Sequence, residues 1–96
     1  MDKKAAEHVV KILKAIAHPV RLQIVEMLRA REMFVNDIVE VLDHKQAITS
    51  QQLNMMKNKG ILSCRRDGVN VYYHIKDKNV ASLLHCINDR CKRKRG

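Results

Sequence analysis

Apolar residues recur along this chain at helical spacing for most of its length, and in strand-like runs only once. Between Lys3 and Ala17, Val9, Ile12, Leu13 and Ile16 fall at i, i+3, i+4 and i+7, which predicts an amphipathic helix. His18-Pro19 ends it, because the residue before proline is pushed out of the helical region. Pro19 suits the first position of a second helix, where its missing N–H leaves no bond unmade. Leu22, Ile24, Val25, Met27 and Leu28 give that helix a broad apolar face, and Glu32-Met-Phe-Val35 reads as a short extended connector able to supply one strand. A short third helix is predicted over Asp37-Ile-Val-Glu-Val-Leu42, with Ile38, Val41 and Leu42 inward, followed by a turn at Asp43-His44-Lys45. Gln46 to Lys59 predicts a fourth helix stopped by Gly60, with Leu53 and Met56 in the core and Thr49 on the same side.

The pattern then changes. Ile61 to Arg66 and Val69 to Ile75 are strand-like runs around Asp67-Gly68, a turn signal because glycine tolerates positive φ. Asp77 is a good N-cap for a fifth helix whose apolar side is Val80, Leu83, Leu84 and Ile87. Cys91-Lys-Arg-Lys-Arg-Gly96 reads as a frayed basic tail, giving a domain over 1–91 and a tail over 92–96. The order is α-α-(β)-α-α-β-β-α, a mainly α fold with a β-hairpin wing. Third and fourth helices form a helix-turn-helix, which places one helix in the DNA major groove, and an adjacent hairpin can reach the flanking backbone. The first and last helices lie outside that unit and keep apolar faces, so a second copy of the chain is the economical partner for them.

Composition narrows the partner. A chain of 96 residues makes one domain with a thin core, and 46% hydrophobic content with 3% aromatics and no Trp makes that core aliphatic. A net charge of +9 asks for an acidic partner, either nucleic acid or an anionic membrane surface. No apolar run approaches the roughly 18 residues of a membrane span, and Met1-Asp-Lys-Lys has no apolar signal region behind it. A cytoplasmic nucleic-acid binder is the expectation, with the three cysteines reduced.

The outward face of the fourth helix carries Ala47, Ser50, Gln51 and Asn54, with Gln46 at the first turn. Amides offer a donor and an acceptor together, which suits the adenine edge, and hydroxyls adapt to either role. Lys45 and Lys57, with Lys59, bracket this helix, and Arg65 and Arg66 precede the hairpin turn. Cations there suit phosphates, which fix orientation without reading sequence. The plainer alternative for each is a solvated surface side chain. Arg21 suits packing or a salt bridge as readily as DNA. Cys86 and Cys91 lie about 140° apart on a helix and cannot face one ligand together. Cys64, Cys86 and Cys91 stand either as small apolar residues or as thiol sensors, and the basic neighbours of Cys91 would lower its pKa. His8, His18, His44, His74 and His85 show no metal-ligand spacing, no cofactor is implied, and no catalytic motif is present.

At this point the chain resembles the ArsR/SmtB family of winged-helix repressors. Leu13-Lys-Ala-Ile-Ala-His-Pro-Val-Arg-Leu-Gln-Ile-Val-Glu-Met-Leu28 looks like the family's opening, Lys45-Gln-Ala-Ile-Thr-Ser-Gln-Gln-Leu53 its recognition helix, and Arg65-Arg-Asp-Gly-Val-Asn-Val-Tyr-Tyr73 its wing. The resemblance implies a homodimer joined through first and last helices, repressing from an inverted-repeat operator until an effector releases it. It also exposes departures. Phe34-Val-Asn36 replaces the family's Cys-Val-Cys metal site. On the last helix Asp77 remains, but Asn79 replaces the zinc-binding His, and Arg90 and Arg93 fall at the later ligand positions. Glu26 stands where sulfur-responsive members carry a second-helix Cys, which leaves Cys91 without its partner. The effector stays unidentified. The rival readings are a winged-helix protein-interaction module and a non-specific basic nucleic-acid binder.

Overall fold

Polar side chains cap the starts of the first, second and last helices, and Pro19 opens the second of these. The computed structural model describes residues 1–43 and 45–95, with side chains through Asp89. His44, and the side chains of Arg90, Cys91 and Arg93, lie outside the described residues. Helix α1 spans Lys3–Ile16, and its N-cap Asp2 accepts the Ala5 amide at 2.8 Å. Helix α2 spans Pro19–Ala30 with Pro19 in its first turn, and His18 Nδ1 accepts the Val20 amide at 3.1 Å. The connector supplies strand β1, Met33–Phe34, and helix α3 follows directly over Val35–Leu42. Asp43 closes α3 in the left-handed region at φ 54°, where a short polar side chain is tolerated.

Helix α4, Gln46–Asn58, leads through Gly60 at φ 80° into β2, Leu62–Asp67, and β3, Asn70–Ile75. Asp67 pairs with Asn70, so the loop is Gly68-Val69, one residue later than Asp67-Gly68. Gly68, at φ 65°, takes the first central position, the place a type II′ hairpin reserves for glycine. Val69 stands 96% exposed at the tip. Helix α5 spans Lys78–Arg95, with Asp77 Oδ1 accepting the Asn79 amide at 3.0 Å. Its backbone continues past Cys91, where the sequence suggests fraying. Gly96 is the first breaker, and Lys and Arg are good helix formers favoured at the negative end of a helix.

The sheet is antiparallel in the order β1-β3-β2, with Met33 opposite Tyr73 and Phe34 opposite Tyr72. It packs on the helices to form one core, centred on Ile24, Val25, Ile38, Leu53, Met56, Ile61, Leu62 and Val80. Thr49 is buried with Leu53 and Met56, as their spacing predicts. Val41 departs from expectation. It is 64% exposed rather than inward, because α3 turns that side toward an apolar groove between α1 and α5 that none of the described residues fills.

Candidate nucleic-acid interface

Three buried residues fix which side of α4 faces outward. Thr49, Leu53 and Met56 form the inward stripe, so at 100° per residue the opposite side is Ala47, Gln51, Asn54 and Asn58, with Ser50 beside it. Ala47, Gln51, Asn54 and Asn58 are exposed and Ser50 is half-buried. This is an uncharged ridge of amides and a hydroxyl with a small residue near its start, which can approach base edges closely. Asn58 is a member that the sequence reasoning misses, although its position one helical turn beyond Asn54 is the signal that finds it. Lys45 and Gln46 are exposed at the start of the helix and Lys57 near its end.

The hairpin register separates the two wing arginines. Side chains alternate across a sheet, so Ser63, Arg65 and Asp67 share one face, and Leu62, Cys64 and Arg66 share the other. The second face is the core face, since Leu62 and Tyr73 are buried there and β2 packs on α4. Arg66 therefore extends from the α4 side, exposed and without an ion pair among the described residues. Arg65 lies on the opposite face, where Glu32 holds it. Its Nε donates to both carboxylate oxygens at 3.0 Å, its Nη2 donates to one of them as well, and its guanidinium sits 4.6 Å over the Tyr72 ring. Phe34 packs against the same ring at 5.8 Å. The hydrogen bond from Arg65 draws the Glu32 carboxyl below its ordinary pKa, and the same bond raises Arg65. Glu32 gives no signal in the sequence, because it meets Arg65 of β2 only through the pairing of both β1 and β2 with β3.

Arg21 resolves toward structure. Its Nε donates to Gln52 Oε1 at 2.8 Å and its Nη1 faces two carbonyls of the last turn of α1. Cys64 is half-buried beside the core, while Cys86 is exposed on α5 in the single protomer. Burial raises the Tyr73 phenol above its ordinary pKa. Among the described residues, no three His, Cys, Asp or Glu side chains are grouped to hold a metal ion, and no helix is long and apolar enough to cross a membrane.

Away from the ridge, α1, α2, α3 and α5 leave a groove of about 700 Å³ lined by Leu13, Leu22, Met27, Val41, Leu83 and Ile87. Polar side chains close one flank: Glu26 accepts from Arg29 at 2.8 Å and from Asn88 of α5 at 3.0 Å. At the position where the resemblance places a sulfur-responsive thiol, this chain has a carboxylate hydrogen-bonded across the same pair of helices.

Residues 18–63 match the family described as "Bacterial regulatory protein, arsR family". The biofilm growth-associated repressor of Agrobacterium fabrum is 33% identical over 87 residues, covering 91% of this chain and 74% of that protein. The chain belongs to the ArsR family. A second relative, the transcriptional regulator NmtR of Mycobacterium tuberculosis, is 36% identical over 84 residues, covering 88% of this chain and 70% of that one. The solution structure of a homodimeric winged helix-turn-helix DNA-binding domain from Mycobacterium bovis superposes with a TM-score of 0.83 at 30% identity, covering 98% of this chain and 89% of its own. As an ArsR protein with this fold, the chain is a DNA-binding transcriptional regulator and not an enzyme.

Proposed function

We propose that the protein is a cytoplasmic, homodimeric repressor that binds an inverted-repeat operator and is joined through α1 and α5. The observation that carries this is the pairing of an uncharged polar ridge on α4 with an unfilled apolar groove beside α1 and α5. Leu13, Leu22, Val41, Leu83 and Ile87 are all exposed in the protomer. A twofold partner covers such a surface and sets two α4 helices in successive major grooves about 34 Å apart. Ser50, Gln51 and Asn54 read bases beside Ala47. Lys45, Gln46, Lys57 and Arg66 contact the backbone, and Arg65 steadies the wing that presents Arg66.

The test is selection of bound duplexes from a random pool, followed by footprinting and titration. A palindromic footprint and an operator affinity well above that of random duplex support the reading, and Gln51→Ala or Ser50→Ala lowers that ratio by about 1–3 kcal/mol per lost base contact. Equal affinity for operator and random duplex at physiological salt sinks it, leaving a non-specific binder or a protein-docking module. The thiols Cys64, Cys86 and Cys91 are tested together: a Cys→Ser triple variant that still responds to oxidant or a thiophilic metal places the effector site elsewhere.

A further inference from the structure

Arg21 joins three helices through one guanidinium. It rises from the first turn of α2, half-buried, and its Nε donates to Gln52 Oε1 on α4 at 2.8 Å. Its Nη1 faces the carbonyls of Lys14 at 3.4 Å and Ala15 at 3.3 Å. Helix α1 ends at Ile16, so both belong to the four terminal carbonyls that a helix leaves without an intrahelical partner. A cation is favoured at that negative helix end.

Gln52 follows Gln51 of the ridge but lies 100° around the helix, on the flank toward α2. Its amide is engaged by Arg21 and is turned away from the reading face. The stripe of Thr49, Leu53 and Met56 sets which side of α4 faces outward, and the fine rotation of the helix about its axis takes a directional contact as well. Thr49, Leu53 and Met56 hold its depth through apolar contact, which has no direction. A planar guanidinium with fixed donor angles is directional, and a compact ammonium on a flexible stem is not. Base reading tolerates only about 10–20° of misorientation.

We propose that Arg21 is a positioning residue for sequence recognition. Through Gln52 it sets the rotation of α4, and through the last carbonyls of α1 it ties that setting to a helix of the dimer interface. The proposal rests on α4 being the recognition helix. It makes Arg21 a contributor to specificity that touches no base and no phosphate.

The experiment uses the full chain, an operator selected by wild type and a random duplex of the same length, titrated across salt. The variants are Arg21→Met, Arg21→Lys, Gln52→Met, Gln52→Glu and the Arg21→Met/Gln52→Met double, with sedimentation checking the dimer. Arg21→Met and Gln52→Met each lower the operator-to-random ratio about tenfold, and the double variant lowers it no further than either single change. Random-duplex affinity and its salt slope stay at wild-type values in the three Met variants. Arg21→Lys keeps the charge and still loses discrimination, whereas Gln52→Glu keeps the acceptor and retains it. An unchanged ratio in the single variants overturns the proposal, as does a multiplicative loss in the double. A drop of about 0.9 per protomer in the salt slope of Arg21→Met also overturns it, because that marks a phosphate contact. Wild type that fails to discriminate overturns the recognition-helix reading and this proposal with it, while variants that discriminate as well as wild type overturn this proposal alone.

Discussion

Replacing each wing arginine in turn measures how the hairpin divides its charge. Arg66→Ala removes an exposed cation on the α4 side, whereas Arg65→Ala removes one already neutralised by Glu32. Only a cation that displaces condensed counterions from DNA enters the salt dependence of binding, at about 0.9 in slope per phosphate of B-form duplex. A twofold dimer presents Arg66 twice, so its loss flattens the slope by about 1.8. As salt rises from about 50 to about 200 mM, the variant then loses roughly 12-fold less affinity than wild type does. Arg65→Ala leaves the slope where it was and loosens the base of the wing instead. Glu32 loses its partner there, and the Tyr72 ring loses the cation above it. Fluorescence anisotropy of a labelled duplex over this salt range reads both variants. A slope loss of equal size for Arg65→Ala, or none for Arg66→Ala, refutes the assignment of the two faces.

Three further outcomes follow from packing and titration. Thr49 Oγ1 is buried without a partner among the described residues. Thr49→Val keeps the shape without the hydroxyl, so it gains about 1 kcal/mol, read as a higher urea midpoint at unchanged m-value, and a lowered midpoint contradicts it. Leu83→Glu withdraws about 2 kcal/mol of apolar burial on each side of a symmetric interface. That is about a thousandfold in dimer dissociation, read by sedimentation with helicity as the control. An unchanged dimer places the interface elsewhere. The Glu32 pair makes the wing acid-sensitive: its carboxyl pKa is lowered in the fold, so the stabilisation is complete above the ordinary carboxylate range and is lost as pH falls through the lowered value. Glu32→Gln flattens the acid limb of the stability curve, and a variant as acid-sensitive as wild type assigns that limb to other carboxylates.

Periodicity reveals an element wherever that element buries its face against its own chain. The Thr49, Leu53 and Met56 stripe of α4 is of this kind, and the polar ridge proposed to read bases is legible because it is the complement of that stripe. What local pattern does not encode is pairing at a distance. Glu32 meets Arg65 across 33 positions and Arg21 meets Gln52 across 31, each through a strand register or a helix crossing set by the whole core. These pairs decide which cations remain available, so a count of +9 overstates the charge that can face DNA. The apolar residues show the converse. Leu13, Leu83 and Ile87 lie on the first and last helices, whose surplus apolar faces already point to a second copy, whereas Val41 of the third helix reads as core. The fold adds Val41 to that surface, at 64% exposure, and shows how far the others stand open, Leu83 at 37% and Ile87 at 50%. A 96-residue domain with so thin a core has little apolar surface to spare. On the proposed dimer, the apolar residues it does not use for its own packing are therefore the part of the sequence that specifies the second molecule.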